Sequence, residues 1–409
     1  MNFNNGAPIR ATKGDGIMVG HRKIALLFMT TVAIGLTGCS VKPVVGVVLP
    51  ATGPAGVYGE SIESGMRLAI SDARTKGELP VGFEVIWANS ESDPDRAKEE
   101  FRRLVEVKGA KIMLGAATSD EAWALLPLLE DLNVVCLSPS ASTPGLTRES
   151  KLFFRIYPSD ELEGQTAGKF MMDRLGASKV LLVAGNTEYV RGIEPEFRRQ
   201  YEESLGGSVV ARVDLQDEDW TTQLHQALRR HQPKAVYLVG YSGEILEMIR
   251  EIKKAAFSGR IVTTSAFYIS EAIKNAGEDA EGILFPLPPY DRTSDKEPVA
   301  SFVIKYMDTY ERAPDVFAAH GYDAMRVAIQ VLTIANPPHT PEIKKALHFG
   351  VTDFMGVTGP ILFDDYGDVK HYPKMFIVKD GQVQTYRRYL ETERKRILRQ
   401  VQALLIAEG

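Results

Sequence analysis

The chain has 409 residues and a formal net charge of −5. That length accommodates two ordinary domains, and the acidic balance argues against nucleic acid, whose binders present concentrated basic surface. Only two cysteines occur, Cys39 and Cys136, too few for a disulfide scaffold.

From the N-terminus, Met18 is a second candidate start. It precedes a cationic patch of His21, Arg22 and Lys23, an uncharged run from Ile24 to Ile34, and then Leu36-Thr37-Gly38-Cys39. This is the charged, apolar and small-residue order of a secretory signal. The apolar run is well short of the roughly 20 residues that a spanning helix needs. Its ending, aliphatic then small then glycine then cysteine, resembles the lipobox of bacterial lipoproteins. That resemblance implies cleavage ahead of Cys39, acylation of Cys39 and attachment to the cell envelope. Cys136 then has no disulfide partner, and its place after Val134-Val135 marks it as a buried strand residue.

Beyond the signal, short β-branched runs alternate with amphipathic helical patterns. Strands are expected at Val44–Leu49, Phe83–Ala88, Lys111–Leu114 and Val134–Leu137, and a second series at Val180–Ala184, Val209–Val213, Ala235–Val239 and Arg260–Thr263. Helices are expected at Gly59–Lys76, Pro94–Val107, Ser119–Asp131, Glu161–Leu175, Glu244–Ala256 and Val316–Ala335. Such alternation implies an α/β fold of parallel sheets with helices on both faces. Two series of strands suggest two lobes, with a seam near Pro158 and a passage back at Phe285–Pro289. A third passage is expected near Phe363. The tail from Arg387 carries Leu390, Ile397, Val401, Leu404 and Leu405 on one helical stripe, which is expected to dock on its own domain.

Signatures of catalysis are scarce. Gly240-Tyr241-Ser242-Gly243 lacks the second flanking glycine of a nucleophile elbow, since position 244 is Glu. The loop Gly53–Gly59 lacks the Lys-Ser/Thr pair of a phosphate loop, and the histidines have no metal-ligand spacing. No catalytic residue, metal site or cofactor is expected.

The loop after the first strand, Leu49-Pro50-Ala51-Thr52-Gly53-Pro54-Ala55-Gly56-Val57-Tyr58-Gly59, resembles the opening of the branched-chain amino-acid-binding proteins. These are the type I periplasmic solute-binding proteins of ABC importers. The likeness continues in order through Asp93-Pro94, Gly115-Ala116-Ala117-Thr118-Ser119, Leu137-Ser138-Pro139-Ser140-Ala141-Ser142-Thr143-Pro144, Ala276-Gly277-Glu278-Asp279-Ala280-Glu281-Gly282 and Gly356-Val357-Thr358-Gly359. It implies two doubly wound parallel-sheet lobes joined by a three-strand hinge that closes on a ligand. The expected divisions are 1–38 for the signal, 42–157 plus 288–362 for an N-terminal lobe, 158–287 plus 363–386 for a C-terminal lobe, and 387–409 for a C-terminal helix.

Ligands of open α/β sheets sit beyond the carboxyl ends of the strands. Thr118 and Ser119 open a helix there, and hydroxyls with free N–H groups at a helix start suit a carboxylate. Thr118 with Glu121 equally spells a capping box. By resemblance, Ser119 and Ser142 take a ligand carboxylate, Ser140 offers its backbone, and Ala141 lies between them. Tyr58, Tyr189 and Tyr241 fall at strand exits as cleft walls. The amino-acid binders place an acidic residue after the strand that corresponds to Arg260–Thr263, for the ligand ammonium. Here Ser265 stands there, with Phe267 nearby and Glu188 and Asp160 as candidate substitutes. The expected role is capture of a small carboxylate, an amino acid foremost, for an ABC permease. An aromatic or aliphatic carboxylate without an amine is the alternative ligand. A sensory lipoprotein of the same fold and a secreted α/β enzyme are the rival classes, and the missing elbow and metal motifs weigh against the enzyme.

Overall fold

A computed structural model describes residues Val41–Ala407. The signal and Cys39 lie outside the described residues. The first sheet contains β1 (Val44–Leu49), β2 (Glu84–Asn89), β3 (Ile112–Leu114), β4 (Val135–Ser138) and β5 (Phe153–Arg155), ordered β2-β1-β3-β4-β5. Every pairing in it is parallel. The second sheet begins with β6 (Lys179–Ala184), β7 (Ser208–Asp214), β8 (Ala235–Val239), β9 (Arg260–Thr263) and β10 (Leu284–Leu287). After the hairpin of β11 (Phe354–Gly356) and β12 (Gly359–Ile361), antiparallel strands β13 (Lys374–Lys379) and β14 (Gln382–Thr385) complete it. Its order is β14-β13-β10-β9-β8-β6-β7.

Strand order therefore reverses twice, between β1 and β3 and between β6 and β8. Helices diverge to opposite faces at such a switch and leave a crevice beyond the strand ends. β1, VVGVVL, is buried along its whole length, as a central parallel strand covered on both faces must be. Helices Gly56–Thr75 and Val316–Ile334 cover one face. They approach through two glycines: a Cβ on Gly65 would lie 1.9 Å from the Ala318 carbonyl oxygen, and one on Gly321 would lie 2.3 Å from that of Ile62.

The chain passes between the sheets three times. It leaves β5 through Ile156–Ser159 into the Asp160–Asp173 helix, which packs on β10 and β13. After β10 it returns to the Val299–Tyr310 helix against Gly56–Thr75. Pro286 lies inside β10, where β9 pairs only with Leu284, so the missing N–H falls beyond that ladder. The third passage, between β12 and β13, is fastened to the first. The Asp364 carboxylate accepts the N–H groups of Tyr366, Gly367 and Asp368. Arg155, only 1% exposed, donates to Asp368 at 2.5 Å and to the Thr143 carbonyl at 2.8 Å.

The Gly356–Gly359 block is structural. The buried Asp323 carboxylate accepts from Val357 N (2.9 Å), Thr358 N (2.8 Å) and Thr358 Oγ1 (2.6 Å), and burial raises its pKa to about 6. Cys136 is buried as expected, its Sγ donating to the Gly115 carbonyl. The C-terminal helix, Tyr386–Ala407, departs from expectation. Tyr386 meets Phe170 edge-on, with ring centroids 4.8 Å apart, and Tyr389 also packs inward. Beyond that first turn the stripe stands in solvent, with Leu390, Ile397 and Val401 exposed by 44%, 51% and 48%. The helix packs on β13 and β14, and the expected docking of Leu390, Ile397 and Val401 is not seen.

Candidate functional site

The loops after β1, β3, β4, β6, β8 and β9 converge at the two switch points. In the β3 and β4 loops most serine hydroxyls lace one loop to the other. Ser138 Oγ donates to the Ala116 carbonyl at 2.8 Å and accepts Ala141 N at 2.9 Å, while Ser140 Oγ donates to the Ala117 carbonyl at 2.5 Å. Ser140 N is held by Ser138 Oγ at 3.3 Å, so its backbone is engaged within the loop. Thr118 and Glu121 complete the capping box, each bond 3.2 Å long, which fixes where the Ser119–Asp131 helix starts. Ser119 Oγ accepts from Ser142 N (3.4 Å) and Thr143 N (3.2 Å). With both lone pairs engaged, its own proton is left to donate.

A small cavity of about 30 Å³ lies between the lobes. Tyr58, Ala117, Thr118, Ser119, Ser140 and Ser142 form one wall; Tyr189, Tyr241, Ser265 and Ala266 form the other; Tyr157 and Phe317 close the back. Seven of the residues singled out from sequence therefore meet here: Tyr58, Ser119, Ser140, Ser142, Tyr189, Tyr241 and Ser265. Two do not. Ala141 is buried within its loop, and Phe267 is turned by the short helix Ser265–Phe267 into the core, 5.9 Å from Phe285. Tyr157 and Phe317 had no sequence signal beyond being aromatic near a crossing and a helix start; they stack at 5.8 Å with 6° between planes.

The acidic groups are arranged differently from expectation. Glu188 does not reach the cavity, because its carboxylate pairs with Arg191 at 2.7 Å on the helix surface. Asp160 lies behind Ser142, whose Oγ donates to Asp160 Oδ2 at 3.0 Å. Glu163, one helical turn further, lies behind Ser265: its two oxygens accept Ser265 N and Ser265 Oγ, each at 2.7 Å. Sequence reading missed Glu163; its spacing from Asp160 places both on one face of the helix. Burial pushes Glu163 up to about 7. Asp160 is raised well above the usual carboxylate range by burial, and the Glu163 charge adds to this. Asp160 Oδ1 is buried without a hydrogen-bond partner among the described residues.

The cleft is shut by bonds across it. Tyr58 Oη donates to the Ala266 carbonyl at 2.9 Å and accepts Ser242 N at 2.7 Å. Asp120 accepts Glu188 N and Tyr241 Oη, each at 3.0 Å. Thr143 Oγ1 donates to the Glu188 carbonyl at 2.8 Å. The rings of Tyr189 and Tyr241 stack beside them, centroids 5.8 Å apart. Burial raises the pKa of Tyr58, Tyr189 and Tyr241, so all three act as neutral donors and acceptors.

A family model described as periplasmic binding protein matches residues 43–382. The leucine-, isoleucine-, valine-, threonine- and alanine-binding protein of Pseudomonas aeruginosa is 25% identical over 360 residues, 86% of this chain and 95% of that protein. Among solved structures, the leucine-binding protein LivK of Thermotoga maritima superposes with a TM-score of 0.77 at 27% identity, covering 84% of this chain and 97% of that one. The branched-chain amino acid transporter substrate-binding protein LivJ of Streptococcus pneumoniae, in complex with isoleucine, gives 0.76 at 25% identity, with 84% and 98% covered.

Proposed function

The chain belongs to the periplasmic binding protein family, in its branched-chain amino-acid branch, and from that premise we propose that it is the lipid-anchored substrate-binding component of an ABC importer. It captures a small carboxylate, an amino acid foremost, outside the cytoplasm and hands it to the permease without chemical change. The observation that carries this reading is the cavity between the lobes, where the free Ser119 hydroxyl proton stands at a helix start. A carboxylate there gains a donor and the positive end of the helix dipole. Residues 42–157 with 288–362, and 158–287 with 363–386, are the two bodies that move in closing, with Arg155 bridging the first and third passages. Cys39 carries the acyl anchor.

Thermal denaturation of the detergent-solubilised chain against the twenty amino acids and their des-amino carboxylates tests the ligand class. Binding to the native state alone raises apparent stability by mass action. At least one carboxylate is expected to raise the melting temperature; no response to any of them overturns the assignment. For the anchor, Cys39→Ala is expected to leave the membrane fraction or to accumulate unprocessed. An unacylated Cys39 inside an intact wild-type precursor overturns that part.

A further inference from the structure

Two fully buried carboxylates, Asp160 and Glu163, stand one turn apart directly behind two cavity-lining serines. Ordinary buried acids are paired with a cation. The cation that acts on Asp160 is Arg155, and its guanidinium is already held by Asp368 and the Thr143 carbonyl. The other titratable groups that feel the pair are Tyr157 on the first passage, Tyr189 on the Glu188–Arg198 helix and Tyr237 on β8. All three are neutral hydroxyls. Asp160 Oδ1 has no hydrogen-bond partner among the described residues. The back of the cleft thus has a free carboxylate acceptor and a deficit of positive charge.

We propose that Asp160 and Glu163 are the cation-receiving element of this cleft, holding a proton while no ligand is bound and releasing it to solvent when a ligand ammonium enters. The inference rests on the carboxylate-capture reading and narrows it. The ligand's carboxylate lies toward Ser119 and its ammonium toward Ser265 and Ser142, so the cleft selects α-amino acids over the same acids without the amine. No acid is needed at position 265 itself, since Glu163 delivers its charge to that point from the hinge helix. The exchange balances: one positive charge arrives with the ligand and one proton departs.

The sign follows from the raised pKa of Glu163, about 7. Below it the pair must lose a proton before the ammonium is received, so affinity falls as pH falls. The dissociation constant is expected to rise about tenfold per pH unit below that value and to level off above it.

Calorimetry of the wild-type, detergent-solubilised chain reads this with no variant, using the same panel of amino acids and des-amino carboxylates. Titrations at about pH 6 in two buffers of different ionisation enthalpy are expected to report about one proton released per ligand. Glu163→Gln, which is isosteric, is expected to flatten the pH dependence and to erase the preference for the amine. A des-amino acid that binds as tightly as its amino acid, no proton release by the wild type, or an undiminished amine preference in Glu163→Gln each overturns the proposal. Binding of des-amino acids alone overturns only this inference. Absence of binding by every carboxylate overturns the underlying reading as well.

Discussion

Asp120→Ala separates closure from contact, because Asp120 touches the opposite lobe and does not line the cavity. Its carboxylate accepts Glu188 N and the Tyr241 hydroxyl, each at 3.0 Å. A hydrogen bond to a charged acceptor is worth roughly 1.5–3 kcal/mol, and half-burial of Asp120 and Tyr241 favours the lower figure. Two such bonds amount to about 3 kcal/mol of closed-state stabilisation. If the unliganded protein is mostly open, that sum passes whole into apparent affinity, about a hundredfold in Kd. The Tyr58 bonds to Ala266 and Ser242 survive the substitution, so saturating ligand should still close the cleft. The assay is calorimetry with the best-binding amino acid, alongside small-angle scattering with and without ligand. A variant within about threefold of wild type in Kd, with an unchanged compaction on binding, refutes the reasoning.

The double variant Ser119→Ala, Ser142→Ala should weaken ligand binding by at least about tenfold, through the lost Ser119 bond to the carboxylate and the lost Ser142 acceptor for the ammonium, and calorimetry with retained affinity would remove the serines from the site. Unliganded stability should fall as pH rises from the ordinary Glu range through about 7, because the folded state holds Glu163 protonated; the effect is about 3 kcal/mol. Denaturant titrations at several pH values should show this slope flattened in Glu163→Gln, and an unchanged slope would contradict it. Arg155→Leu leaves Asp368 unpaired, at about 3 kcal/mol, the low end for a broken buried pair because Asp368 keeps 21% exposure; wild-type stability in the variant would deny that the first and third passages are fastened there. Ser265→Glu sets a third acid against Glu163 and should lower the melting temperature, whereas an unchanged melting temperature would mean the new side chain escapes the pair.

Strands β1 to β4 and β6 to β9 were legible because central parallel strands must be apolar on both faces, as in β1 and β8, whereas β10, β13 and β14 were not expected as strands. The serine-rich loops were legible for the same reason: they follow those strands directly. Strand β5, three residues long, offered too little pattern. The Trp220–His231 helix did offer one, in Leu224, Ala227 and Leu228, which was passed over. Glu188 was misplaced although its Arg191 partner stands at helical spacing, and that pair draws the carboxylate off the cleft. Glu163 shares the Asp160 face by spacing alone, but its pairing with Ser265 was not legible, because the two are 102 residues apart in sequence. The exposed C-terminal stripe shows the same limit: periodicity reports an apolar face and says nothing of what lies opposite it.

The pairing of the Gly56–Thr75 and Val316–Ile334 helices bears on the order in which the molecule can be assembled. Ser61 and Asp315 hydrogen-bond across 254 residues of sequence, and the close approach at Gly65 and Gly321 spans a similar distance. During synthesis the first sheet emerges early but lacks one of its covering helices until nearly the whole chain exists. Every strand of the second lobe up to β10 is made in the interval. The nascent first lobe must therefore wait with the inner face of Gly56–Thr75 uncovered, the kind of exposed apolar surface that slows folding and invites aggregation. Truncations that end before residue 334 should leave this lobe unable to mature, even though all five strands of its sheet are present.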